Sequence, residues 1–234
     1  MNEIAERLEA VRENIVLASQ RAGRDAREVR LMAVTKFVPI ERIALAADAG
    51  VTLIGENRAQ EFSEKLTFYK QRNLEAHFIG QLQTNKVKYI CGHAHLVQSV
   101  DRTALLDAIA RRAEALGVVQ PILLQVNIGR EPQKGGFLPD ELDAFADAAL
   151  AAKNVRLCGL MCVPPAGEPE SARPYFREMR RLYERLQARV PEADVLSMGM
   201  SHDYPIAIEE GATLVRVGTA IFGARNALGG TQNG

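Results

Sequence analysis

Apolar positions along the chain fall into two alternating spacings. Ile4, Leu8, Val11, Ile15 and Ala18 recur at the interval of a helical face, with Asn2 placed to cap that helix and Gly23 to end it. From Val29 onward, short apolar runs of strand length take over, at 29–34, 51–54, 76–79, 96–100, 121–128, 155–163, 194–198 and 213–217. Helical patterns separate them, at 40–49, 58–70, 85–90, 103–116, 140–151, 171–189 and 204–209. Several carry boundary residues: Asp101 ahead of the fourth and Gly117 behind it, Pro139 ahead of the fifth, Gly211 after the seventh. Eight apolar strands alternating with helices predict an α/β chain folded as a single TIM-type (β/α)8 barrel with an extra N-terminal helix, an open doubly wound sheet being the alternative. That first helix precedes every strand and is expected to cover the barrel floor.

Length and charge narrow the picture. At 234 residues and 47% hydrophobic content the chain can fill one large core, and no linker interrupts it, so residues 1–228 are expected to form one domain. The closing 229–234, "GGTQNG", reads as a disordered tail. Lys and Arg total 29, matching 29 Asp and Glu, so no net field favours nucleic acid or an anionic membrane. The start, "MNEIAERLEAVRENI", has no signal-like apolar centre, and no stretch is long and apolar enough to span a bilayer, so a cytoplasmic location is expected. Cys91, Cys158 and Cys162 are an odd count without zinc-type spacing and are read as buried free thiols.

Chemistry is concentrated where apolar runs end. "VRLMAVTKFVP" is a buried-strand pattern closed by Lys36, with Pro39 ready to open the next helix. A lysine there either marks a surface strand end or sits at the catalytic face of a barrel. The last two strands run into "LSMGMSHD" and "LVRVGTAIFG". Gly199 and Gly218 allow close backbone approach, Ser201 and Thr219 offer hydroxyls, and the amides of Thr219 and Ala220 suit an anion, although glycines also serve any tight turn. Period-two alternation places Leu214, Arg216 and Gly218 on one face and Val215 and Val217 on the other, so Arg216 interrupts an apolar face. A bound anion, an aromatic nitrogen or a buried carboxylate could compensate it.

A lysine after the first strand, a phosphate cradle after the last two and an arginine between them suit an aldehyde cofactor anchored by phosphate. Pyridoxal phosphate fits, with the lysine forming a Schiff base and desolvation lowering its pKa. A lysine-based aldolase acting on a phosphorylated sugar needs the same parts. His93 and His95, on one strand face, form a conceivable metal pair with no nearby Cys, Asp or Glu in sequence to complete it. The adjacent Ser201, His202 and Asp203 cannot form a triad, which needs nucleophile, base and orienter in line. Arg177, Arg180, Arg181, Arg185 and Arg189 read as a solvated helix face, and Lys134, in a polar loop, as a loop lysine or a transient cofactor contact.

Eight collinear segments carry a resemblance: "AVTKFVP", "IGENRAQEF", "HFIGQLQTNK", "QSVDR", "LLQVNIGREPQKGGF", "GLMCVPP", "LSMGMSHD" and "LVRVGTAIFGAR". Over nearly its whole length the chain resembles the pyridoxal phosphate homeostasis proteins, related to the N-terminal barrel of alanine racemases. The resemblance implies that Lys36 carries pyridoxal 5′-phosphate covalently and that Asn57 lies beside the ring. It implies Arg216 at the pyridine nitrogen and Ser201, Gly218 and Thr219 at the phosphate, with Met161 and His77 walling the pocket. Thr35, Phe37, Gln81 and His202 depart from the residues usual at those positions, and none of them is a proposed ligand. The implied role is to hold the cofactor and buffer or deliver it, with PLP-dependent apoenzymes as recipients. The competing role is a weak amino-acid racemase. Racemases of this resemblance draw a second acid-base tyrosine from a further β-domain of a partner subunit, and that domain's absence here points to a monomer without robust catalysis.

Overall fold

Strand β1 (Arg30–Val34) pairs in parallel with β2 (Leu53–Glu56) on one side and with β8 (Leu214–Val217) on the other, so the sheet closes on itself. Between them run β3 (Glu75–Phe78), β4 (Leu96–Val100), β5 (Gln120–Val126), β6 (Val155–Cys162) and β7 (Val195–Ser197), in sequence order around a closed eight-stranded barrel. The computed structural model describes residues 2–224, so the tail expected at 229–234 lies outside the described residues.

Alternation along each strand sorts side chains into two environments. Outward positions such as Ala33, Ile54, Phe78, Val215 and Val217 join the main core beneath the helices. Inward positions make two small apolar clusters, Met32, Leu53 and Leu214 in one and Leu96, Leu123, Cys158 and Met161 in the other. Polar side chains lie between them inside the barrel, among them His77, Gln98, Ser197 and Arg216.

The helices after the strands are α2 (Ile40–Asp48), α3 (Ala59–Gln71), α4 (Val87–Ile90), α5 (Thr103–Leu116), α6 (Leu142–Ala151), α7 (Arg173–Arg189), α8 (Tyr204–Glu209) and α9 (Thr219–Phe222). Three of the expected helices begin as 3-10 turns, Thr84–Lys86, Pro139–Glu141 and Pro169–Ala172, which satisfy entry amides before the wider helix starts. Asp101 does not cap α5: Arg102 holds that position, and Asp101 pairs with its guanidinium. Gly117 does end α5, in the left-handed conformation at φ 64°.

The N-terminal helix α1 (Glu3–Arg21) does not cover the floor. It packs against α2, α8 and α9 in the outer ring, burying Ile4, Leu8, Val11, Ile15 and Ala18. The reason is geometric: α9 spans only four residues, too short to shield the β8–β1 seam, and α1 supplies the missing apolar stripe. The arginine face of α7 is not merely solvated either. Arg173 reaches Glu209 at 2.8 Å and Glu210 at 2.7 Å on the α8 side, and Arg189 meets Asp143 at 3.1 Å on α6, tying three helices together.

Candidate functional site

The inward register of β1 runs Arg30, Met32, Val34 and, one step past the strand, Lys36, which enters the barrel mouth at the C-terminal ends of the strands. Thr35 points the other way into a closed polar nest. Its hydroxyl donates to Glu56 Oε1 at 2.7 Å, and its carbonyl accepts from Lys65 Nζ at 2.9 Å. Phe37 adopts φ 60°, unusual for a side chain bearing Cβ, and its amide donates to Glu61 Oε2 at 2.8 Å. Val38 N closes the turn on Thr35 O at 3.0 Å. Helix α3 thus supplies two side chains that hold the backbone on both sides of Lys36.

Strand β2 brings Asn57 to the mouth by the same alternation, after Leu53 and Gly55. The Asn57 backbone rests on Gly80, where a Cβ would lie 1.9 Å from its carbonyl oxygen. Asn57 Oδ1 is buried without a hydrogen-bond partner among the described residues. Such an acceptor is costly unless a ligand donates to it.

On the opposite wall, Gly199 (φ 90°) lets the chain leave β7 against Tyr204 and Ala207, and its carbonyl accepts from Arg216 N at 3.0 Å. Ser201 Oγ accepts from the amides of Gly218 at 3.2 Å and Ala220 at 3.3 Å. Thr219 stands at the first helical position, where a helix leaves the N–H without an internal acceptor. A hydroxyl, two small residues and outward-facing amides are the donor set that a phosphate monoester requires.

Arg216 is 4% exposed. Its Nη1 donates to Ser197 Oγ at 2.6 Å and its Nη2 to the Cys162 carbonyl at 2.8 Å. No carboxylate forms an ion pair with it among the described residues, so the buried-carboxylate compensation weighed from sequence is not what the structure uses. Burial pushes the guanidinium pKa down, although Asp203 lies close enough to oppose this. Beside it, burial pushes the Cys162 thiol up to about 12, which keeps it protonated, and all three cysteines are free.

Lys36, Asn57, Met161, Ser201, Arg216, Gly218 and Thr219 all line one cavity of about 290 Å³, with Ile79 and Phe222 among its apolar walls. Its size lies at the lower end of the range for small-ligand pockets. The seven residues read from sequence are therefore brought together. His77 is not among them: it lies inside the barrel, 1% exposed, and Ile79 takes the wall position two residues on. His93 sits in a turn and His95 in a bend before β4, where Nδ1 of His95 accepts from Ala76 N at 3.1 Å, so they share no strand face. Lys134 is engaged by Glu131 at 2.5 Å and by the Pro164 carbonyl at 2.9 Å.

The family described as "Alanine racemase, N-terminal domain" matches residues 7–226. A "Pyridoxal phosphate homeostasis protein" of Aquifex aeolicus is 48% identical over 222 residues, covering 94% of this chain and 97% of that relative. The chain belongs to the pyridoxal phosphate homeostasis family. Among solved structures, PipY of Synechococcus elongatus, described "with PLP bound", is 34% identical with a TM-score of 0.76, covering 94% of this chain and all of that one (100%). Alanine racemase of Corynebacterium glutamicum shares the barrel at 18% identity and a TM-score of 0.64, with this chain covering 63% of its length. The family's barrel is thus shared with larger enzymes, while the homeostasis proteins match end to end.

Sequence reading missed the support behind the site. Thr35, Glu56, Lys65 and Tyr69 form the polar nest under Lys36, and Gln98 and Ser197 lie beneath Arg216. Gln98 had a visible signal, being with Ser99 one of two polar residues inside the apolar run Leu96–Val100. Ser197 shares the inward register of Gly199.

Proposed function

We propose that this protein binds pyridoxal 5′-phosphate in the cavity at the barrel mouth, holds it covalently through the Lys36 amine with loss of water, and serves its homeostasis by buffering it or delivering it to PLP-dependent apoenzymes. The observation that carries this reading is the shared cavity: Lys36 enters from β1, and the Ser201, Gly218 and Thr219 cradle faces it from β7 and β8. The end-to-end likeness to a relative described with PLP bound agrees with it. The unpartnered Asn57 Oδ1 and the buried Arg216 without a carboxylate are polar groups that such a ligand would satisfy.

Each residue has a definite task. The Ser201 hydroxyl, held in place by the Gly218 and Ala220 amides, and the Thr219 amide receive the phosphate, anchoring one end of the ligand. Arg216 offers a hydrogen-bond donor to the ring nitrogen and cannot give up its proton there at neutral pH. Met161, Ile79 and Phe222 exclude water from the ring faces. When bound, the cofactor supplies a reactive aldehyde and an electron sink. A donor arginine, unlike a carboxylate, does not favour a protonated ring, which weakens that sink and supports holding over racemisation.

Mixing the chain, stripped of bound cofactor, with pyridoxal phosphate should give a visible absorbance band that survives gel filtration. A protein that emerges colourless and unmodified would overturn the reading.

A further inference from the structure

Beneath the cavity, polar side chains from β8, β7, β4 and β3 form one continuous file through the barrel. Arg216 Nη1 meets Ser197 Oγ at 2.6 Å, and Ser197 Oγ meets Gln98 Oε1 at 2.7 Å. Gln98 Nε2 lies 2.9 Å from His77 Nδ1, and His77 Nε2 lies 2.7 Å from Glu75 Oε1. Arg30, at the far end of β1, closes the file on Glu75 Oε2 at 2.7 Å. Ser197, Gln98 and His77 are each no more than 1% exposed. The tasks assigned to the cavity residues make no use of this file.

The direction of every bond follows from Arg216, which only donates, and from the Gln98 amide, whose Oε1 faces Ser197. A guanidinium only donates, so Ser197 oxygen accepts from it and gives its own proton to the Gln98 carbonyl. Gln98 then has only its NH2 to offer His77, so Nδ1 accepts and the ring proton resides on Nε2, facing the Glu75 carboxylate. All bonds run in one sense from Arg216 to Glu75, and such chains reinforce one another in a low-dielectric interior.

We infer that Gln98 and His77 are positioning residues for Arg216: neutral His77 keeps the Gln98 carbonyl on the Ser197 proton, and protonation of His77 at Nδ1 turns the Gln98 amide over and takes that acceptor away. A proton on Nδ1 would set two donors face to face across the Gln98 contact. The Gln98 amide must then turn over, presenting its NH2 to Ser197, which already accepts from Arg216. The serine proton loses its acceptor, and the guanidinium is held differently against whatever occupies the cavity. The link from Arg216 to the cofactor ring rests on the proposed function; the file itself does not.

The charges around His77 fit an input that is neutral under ordinary conditions. Glu75 on its own strand favours the imidazolium, Arg30 on β1 and His95 ahead of β4 oppose it, and β2 presents Gly55 opposite it in register. Burial opposes the charge more than Glu75 supports it, which lowers the His77 pKa.

The test uses nitrogen-15 NMR of the unloaded chain. Wild-type His77 should show the Nε2–H tautomer. The wild-type Arg216 guanidinium signals should move as His77 is protonated, whereas Gln98→Glu, whose carboxylate accepts from Ser197 and from Nδ1–H alike, should raise the His77 midpoint by about 1–3 pH units and uncouple the Arg216 signals from it. Gln98→Met removes both contacts and should leave the Arg216 signals indifferent to His77 titration; it also serves should Gln98→Glu fail to fold. In the cofactor-loaded wild type the absorbance band should shift with pH at the His77 midpoint, and in Gln98→Glu it should not. An Nδ1–H tautomer in the wild type, wild-type Arg216 signals that ignore the titration of His77, or Arg216 signals that still follow it in Gln98→Glu would overturn the inference. Loss of cofactor binding with the NMR coupling intact would instead sink the proposed function and leave the file's role standing.

Discussion

Lys65 Nζ lies 2.8 Å from Glu56 Oε1, and Glu56 is entirely withdrawn from solvent. The same oxygen accepts from Tyr69 OH at 2.7 Å and Thr35 Oγ1 at 2.7 Å, while burial and the neighbouring Glu56 push the Tyr69 pKa upward. Lys65 therefore does two things: it compensates a buried carboxylate, and it grips the carbonyl of the residue before Lys36. Breaking a buried pair from one side leaves an uncompensated charge. Lys65→Met should lower the unfolding free energy by about 3–5 kcal/mol, read from denaturant midpoints, and the double variant Glu56→Leu/Lys65→Met should recover most of it. A single-variant loss below about 1 kcal/mol, the scale of an exposed pair, would contradict the buried-network account.

Stability should fall in two stages as pH is lowered. His77 has a folded pKa below its ordinary 6.5, mainly through burial, so its contribution is whole above 6.5 and is lost as pH falls through the folded value. Glu75 is held at about 2, chiefly by its hydrogen bond with His77, so its contribution is whole above its ordinary 4.5 and is lost as pH falls toward 2. Unfolding titrations between about pH 4 and pH 8 should show the first stage in the wild type and its loss in His77→Gln. Identical pH profiles for the two proteins would refute it.

Arg216→Met removes the donor facing the cavity together with its bonds to Ser197 and Cys162. A hydrogen bond to a charged group contributes about 1.5–3 kcal/mol, so cofactor affinity should fall roughly tenfold to a hundredfold. Arg216→Glu should change the absorption spectrum of the bound cofactor and raise slow racemisation or transamination, because an acid there favours a protonated ring nitrogen. An unchanged spectrum in both variants would show that Arg216 does not face the ring.

Gly80 has no room for a Cβ, which would meet the Asn57 carbonyl oxygen at 1.9 Å. Gly80→Ala should displace Asn57 from the cavity wall, costing about 1–3 kcal/mol of stability and weakening cofactor retention together. Retention unchanged in a destabilised Gly80→Ala protein would show that Asn57 makes no useful contact.

The barrel and its mouth were legible because one rule governs both. Strand residues alternate, and the site residues continue that alternation past the strand ends: Lys36 after Val34, Asn57 after Gly55, Gly218 after Arg216. His77 was misplaced because strand β3 ends one residue after it, and Ile79, not His77, reaches the mouth. The nest under Lys36 was not legible at all. Thr35 and Glu56 follow or end different strands on their outward faces and Lys65 and Tyr69 come from a helix, so only the fold joins them. The role of α1 was missed for a related reason, since amphipathic spacing shows that a helix is covered on one face and not what covers it.

Borohydride reduction of the chain mixed with pyridoxal phosphate, followed by peptide mass mapping, tests the central claim most directly. The account predicts a phosphopyridoxyl adduct on Lys36, and its loss in a Lys36→Ala protein whose circular dichroism is unchanged, because Glu61 and Lys65 hold the turn through the Phe37 amide and the Thr35 carbonyl. An adduct that maps to another lysine, or one that persists in Lys36→Ala, would contradict it.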